Sequence, residues 1–203
     1  MIKNRIIKNR DLLIWKEAKK YLNIRNNDEH TLISYQLAKC LLSEIQEAEE
    51  SIVLPAILLH DVGWKKIDPN LILLAIGKNA KRKDLVYDHE KHSVDIAKKI
   101  LVHLNYKSNQ IIKITEIIDG HDTTKNARSI NDAIVKDADK CWRTTPHGMT
   151  TICKWFKWKK SKYIDVLEEV VSNSMLTKPG KIFASGFLSS VRAELNIKSY
   201  IGD

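Results

Sequence analysis

At 203 residues, with 43% hydrophobic and 29% charged, the chain can bury one sizeable core and has an ordinary globular composition, which excludes a disordered or fibrous protein. Only 7 Gly and 4 Pro leave few turn signals, and this argues against a fold of many short strands. The net charge of +9 favours anionic partners such as nucleic acid, a membrane surface or phosphorylated small molecules, although excess Lys also serves solubility.

The N-terminus "MIKNRIIKNR" has no long apolar stretch of the signal-peptide kind. The longest apolar runs, "IVLPAILL" and "LILLAI", are too short to span a bilayer, so a soluble, cytoplasmic protein is expected. Three Cys without a C-x-x-C pair suit a reducing compartment, and Cys40 is expected in the core.

In chain order, periodicity is helical nearly throughout. "DLLIWKEAKKYL" (11–22) is amphipathic, with Asp11 as a candidate N-cap. The stretch 28–46 repeats Leu32, Tyr35, Leu37, Ala38, Leu41, Leu42 and Ile45 at helical spacing. "SIVLPAILLHDVGW" (51–64) is almost wholly apolar and is expected as a central helix, capped by Ser51, with Pro55 in or near its first turn. Gly63 is expected to end it in a left-handed cap. A short helix at 69–76 and a basic connector at 77–83 follow, then helices at 89–104, 108–121 and 129–143. The remainder holds the basic aromatic segment "KWFKWKKSKYIDVLEEVV" and a closing helix at 181–195. No repeat or linker divides the chain, so one all-α domain is expected.

His and Asp recur at helix positions where the pattern asks for apolar residues: His30, His60-Asp61, His89 with His92, His121-Asp122, and Asp137 with Asp139. A mixture of imidazole and carboxylate suits a hard or borderline divalent cation, which also explains how such groups can be buried. Neighbours on a regular helix diverge by about 100 degrees, so His60 and Asp61 can chelate together only where the helix ends. His103 and His147 are expected to be structural, and Asp137 or Asp139 taken alone is equally a cap or an ion-pair partner.

The order His…His-Asp…Asp, carried by His30, His60-Asp61 and Asp139, resembles that of the HD-domain metal-dependent phosphohydrolases. "LPAILLHDVGW" is similar to the family's apolar helix running into the doublet, and "HEKHSVDIAKKIL" to its following His helix, with His89 in the His position. "IIDGHD" resembles the segment that ends in a His pair, with Gly120 where the first His often stands. "IVKDADKCW" resembles the segment holding the last Asp, with Cys141-Trp142 in place of Leu-Asp. "TKPGKIFASGFLSSVRAEL" is similar to the closing helix of the small single-domain bacterial branch. The resemblance implies a single-domain HD-type helical bundle: an N-terminal helix over 1–24, the HD domain over 25–195 and a tail over 196–203.

It further implies a metal site of His30, His60, Asp61 and Asp139, holding Mn, Mg, Fe, Co or Ni. His89 and His121 bind a second metal or contact substrate phosphate, and the missing His puts the completeness of that second site in question. The implied reaction is hydrolysis of a phosphate ester, in a nucleotide or related small metabolite, by a metal-activated water. Asp61 orients that water or accepts its proton, and His89 or His121 protonates the leaving oxygen or contacts phosphate. Lys65, Lys66, Arg82 and Lys140 are candidate phosphate contacts, with Lys81, Lys83 and Arg143 as neighbours; a solvated basic loop is the alternative. "KWFKWKKSKY" either stacks bases or forms an amphipathic helix whose aromatics join the core, the second being favoured. The rival functions are an HD-fold di-iron oxygenase and a non-catalytic nucleotide- or nucleic-acid-binding module. Oligomeric state is open.

Overall fold

The structure is a computed structural model that describes residues 6–77 and 80–202, so Lys78 and Asn79 of the basic connector lie outside the described residues. The helical periodicities give ten α-helices, with no strand among the described residues. These are α1 Leu12–Leu22, α2 Asn27–Glu44, α3 Glu50–Leu59, α4 Pro69–Ala75, α5 Asp84–His103, α6 Ser108–Ile118, α7 Ile130–Thr144, α8 Pro146–Phe156, α9 Lys160–Ser174 and α10 Lys178–Ile201. A 3₁₀ turn over Val62–Lys66 follows α3. No described helix is long and apolar enough to cross a membrane.

The apolar run of α3 has no polar face, so every side must be covered. Ile52 through Leu59 are all buried, against α1, α2, α5, α6 and α7. Full burial of each large aliphatic side chain is worth about 1.5–3 kcal/mol, which makes α3 the centre of the core. Helices α2, α3 and α7 pack pairwise, and α8, α9 and α10 close the bundle beyond α7. Buried Asp137 on α7 receives the backbone N–H groups of Leu176 and Thr177 at 2.8 and 2.7 Å, which ties down the start of α10.

Several expectations are corrected. Pro55 is the sixth residue of α3 rather than a first-turn residue, so it forfeits a bond to the Ser51 carbonyl inside the helix. Asp11 caps nothing with its side chain. It is buried, where it accepts from the Tyr35 hydroxyl at 2.7 Å and pairs with Arg10. Gly63 is not a left-handed cap: a Cβ there would stand 2.0 Å from the His89 carbonyl, so Gly is needed for close approach to α5. Cys40 is exposed, on the outer face of α2, whereas Cys141 and Cys153 are buried. The basic aromatic segment is two helices, broken at Lys157, whose φ is +54°. The closing helix continues past 195 to Ile201.

Candidate metal centre

The sequence turns a corner at the His-Asp doublet. Helix α3 ends at Leu59, and Asp61 leaves helical geometry at φ −108° and ψ 6°. That break lets both side chains face one point. His60 Nε2 lies 3.1 Å from His30 Nε2 of α2, 3.7 Å from Asp139 Oδ1 of α7 and 3.5 Å from Asp61 Oδ2. His30 Nε2 closes the set, 3.2 Å from Asp139 Oδ1 and 3.5 Å from Asp61 Oδ2. The four residues expected as primary ligands therefore converge, and all are buried.

The other oxygen of Asp61 faces a second set. Asp61 Oδ1 lies 3.5 Å from His89 Nε2 and 3.4 Å from His121 Nε2, which are 3.3 Å apart. Asp122 Oδ2 completes it at 3.8 and 3.7 Å from the same two nitrogens. Sequence reasoning named Asp122 but gave it no role, and read Gly120 as a lost ligand. Gly120 instead has φ +94°, and a Cβ there would stand 2.7 Å from the Thr124 side chain. A histidine at that position would be strained in the left-handed backbone and would crowd Thr124, and the turn brings Asp122 to the set instead.

Neighbouring groups hold these donors. His60 Nδ1 and His121 Nδ1 each donate to a backbone carbonyl, of Ile57 and Ile118, at 2.8 Å, which leaves Nε2 free to ligate. Trp64 stacks on His89 at 4.0 Å and donates from Nε1 to Asp61 Oδ1 at 3.1 Å. Trp142 sets its edge against His30 at 4.6 Å, so the residue that stands in place of the family's Asp serves as a wall. Buried Glu90 accepts the N–H groups of Asp122 and Thr123 at 2.8 and 3.0 Å. Buried Lys136 donates to the carbonyls of Gly120, His121 and Thr124, so the turn is pinned from α5 and from α7.

The electrostatics fit a cation. Burial alone would lower His60, but Asp61 and Asp139 outweigh it and raise its pKa. Burial likewise opposes the charge on His121, yet Asp61, Asp122 and Glu90 push its pKa up to about 10. Burial pushes Asp61 and Asp139 upward, and the surrounding imidazoles, with Arg143 beside Asp139, hold both well below the usual carboxylate range. Positive charge is thus most stabilised where the donors meet. Ligands around one ion with bonds of about 2.1 Å lie roughly 3.0–3.4 Å apart, close to the spacing of both sets. The donor set fits divalent metal, with His30, His60, Asp61 and Asp139 on one side and Asp61, His89, His121 and Asp122 on the other.

The centre opens into a cavity of about 520 Å³, walled by Trp64, Trp142, Trp155, Phe156, Trp158 and Tyr163 among others. The aromatics of the basic segment therefore do two things. Trp155 and Phe156 pack against the core cluster and also line the cavity, while Lys154, Lys157, Lys159 and Lys162 stay exposed. The predicted phosphate contacts are elsewhere. Lys65 is exposed and donates to Asn23 at 2.9 Å, Lys66 is exposed, Arg82 closes on Asp84 at 2.7 Å and Lys140 donates to the Ser174 carbonyl at 3.1 Å. None of the four lines the cavity; the 3₁₀ turn buries Trp64 and leaves Lys65 and Lys66 exposed. The arginines on the wall are Arg25, which sequence reasoning missed, and Arg143, which it mentioned in passing. His103 is exposed, and His147 pairs with Glu29 at 2.9 Å.

A family model described as HD domain matches residues 27–144. That span includes every donor of both sets and excludes Arg25, α8 and α9. No curated protein and no solved structure gives a match.

Proposed function

The chain belongs to the HD-domain family, whose members are in general metal-dependent phosphohydrolases, and we propose that this member hydrolyses a phosphate ester of a nucleotide or related small metabolite. The observation that carries the reading is the pair of donor sets sharing Asp61 at the floor of an aromatic-walled cavity. Its volume falls within the ~300–1,000 Å³ common to small-molecule sites.

When bound, divalent metal supplies a Lewis acid for the phosphoryl oxygen and a water acidic enough to ionise near neutral pH. The chain's own residues supply the rest. Asp61 reaches both sets and is the group best placed to hold a water between them. His89 and His121 point Nε2 at Asp61 and Asp122, so they read as donors of the second set rather than as acids for the leaving group. Arg143 Nη2, 3.4 Å from Asp139 Oδ2 and 3.7 Å from Asp122 Oδ1, sits on the wall where phosphoryl charge would develop. Trp155 and Trp158 put apolar aromatic surface on the same wall, which suits a ring-bearing substrate.

The test is metal content by elemental analysis, run with phosphate release from p-nitrophenyl phosphate and a nucleotide panel in Mn²⁺, Mg²⁺, Co²⁺ and Ni²⁺. The reading expects release that depends on metal and is abolished by a chelator; metal-bound protein inert to every ester would overturn it. A second reading gains from the geometry. Asp122 stands beside His89 and His121, so a second donor set is available to a di-iron oxygenase. Bound iron with oxygen consumption and no phosphate release would favour it.

A further inference from the structure

Arg25 lies on the cavity wall just before α2 and is, with Arg143, one of two guanidinium groups that line it among the described residues. The other, on Arg143, is already compensated by Asp139 and Asp122. Arg25 is not. Its Nε is shut off from solvent without a hydrogen-bond partner, and among the described residues its guanidinium pairs with no carboxylate. Burial pushes this group down to about 10, against the charge of Asp61. An exposed arginine would be free of that penalty, so something in the fold keeps this one in place.

Two indoles do so. The guanidinium carbon lies 4.4 Å from the ring centre of Trp155 and 5.7 Å from that of Trp64. Cation–π contact steadies the plane of the group but satisfies none of its N–H donors. The backbone of Arg25 is left-handed, at φ +53°, a conformation that a residue with a Cβ adopts only when its surroundings hold it there. A planar, permanently charged fork held in place with donors unused is the arrangement that recognises phosphate, and a lysine would provide neither the fork nor the stack.

We infer that Arg25 is an anion receptor of this cavity, seated against Trp64 and Trp155 to bind a phosphoryl group of the substrate, an identification of the ligand that rests on the phosphohydrolase reading. That group is either the phosphate undergoing hydrolysis or a second phosphate of the same molecule. Arg25 and Trp155 both lie outside the matched family region, so this receptor belongs to the chain's own cavity wall rather than to the shared metal centre.

The experiment titrates orthophosphate and pyrophosphate into the full chain in Mg²⁺ buffer, following indole fluorescence, for wild type, Arg25→Met and Arg25→Lys. Circular dichroism confirms that each variant is folded. Loss of a charge-assisted contact should weaken binding by about 10–100-fold in Arg25→Met, with Arg25→Lys only partly restored. Weakening of both anions assigns Arg25 to the phosphate undergoing hydrolysis. Weakening of pyrophosphate alone assigns it to a second phosphate and makes the substrate a di- or triphosphate. Unchanged affinity for both anions, or binding of neither by wild type, overturns the inference. The two readings fail separately: Arg25-dependent binding without turnover of any ester removes the hydrolase and leaves the receptor, whereas turnover with anion affinity indifferent to Arg25 does the reverse.

Discussion

The two donor sets of the centre are built on different supports. His30, His60 and Asp139 come from α2, the end of α3 and α7, three helices packed on one another in the core. In the other set His89 stands on α5, but His121 and Asp122 stand on a turn between α6 and α7. The side chain of Asp139 is 9% exposed and that of Asp122 is 26% exposed. Well-packed helices hold ligands by burial of apolar surface, and a turn must be held by specific hydrogen bonds. The first set should therefore retain its ion tightly and the second should exchange it, with Asp61 coupling the two.

Removing the shared carboxylate should break both sets together. Asp61→Ala is expected to lower kcat/KM by at least about 10³-fold, since each set loses a charged ligand at once. Elemental analysis should show both ions lost, with helical content by circular dichroism close to wild type. Retention of metal-dependent turnover would remove this centre from the reaction.

Asp139→Asn and Asp122→Asn then separate the sets. The first should abolish tight metal binding and cost about as much activity as loss of Asp61. The second should leave one ion bound and cost roughly 10–100-fold, the range of changes that loosen a metal site without dismantling it. Metal stoichiometry of each variant, beside its kcat/KM, is the measurement. Equal losses in the two would end the distinction between a tight set and an exchangeable one.

That distinction was only half legible in the sequence. The tight set could be read because its residues interrupt apolar helical runs, where a charge needs a reason: His30 among the buried positions of α2, His60-Asp61 at the end of eight consecutive buried residues, Asp139 in α7. The turn set could not be read in full. Which residue of "DGHD" faces inward depends on the positive φ of Gly120 and on Glu90 and Lys136, which come from other helices. Lys65 and Lys66 misled for a related reason: nearness in sequence to a ligand does not say which way a 3₁₀ turn points. Arg25 is a lone cation in a polar stretch, and its meaning comes from Trp155, far away in sequence.

Glu90→Gln probes the support of the turn while leaving every donor side chain in place. The carboxylate accepts two backbone N–H groups through one oxygen and the Thr123 hydroxyl, at 2.6 Å, through the other. Gln keeps one acceptor and replaces the second with a donor, so Asp122 should lose its fixed position while the fold persists. The weaker ion's affinity should fall about 10-fold, read by competition with a chromogenic chelator, with the tighter ion unaffected. No change in either affinity would mean that the turn holds itself and that Glu90 is only a buried partner.

The smallest effect is expected at the far end of the helix that carries His89 and Glu90. His103 ends α5, is exposed, and faces neither donor set. As an exposed side chain clear of both sets, it contributes little to the fold. His103→Gln should therefore keep wild-type metal stoichiometry and turnover within about two-fold, with a melting temperature nearly unchanged. The contrast within one helix is what gives the control its force. His89 is fully buried, and Gly63 leaves room for the 3₁₀ turn to pack against its backbone; His103 has neither constraint. Loss of an ion in His103→Gln would show that the tight and exchangeable sets are not defined by which imidazoles converge on Asp61.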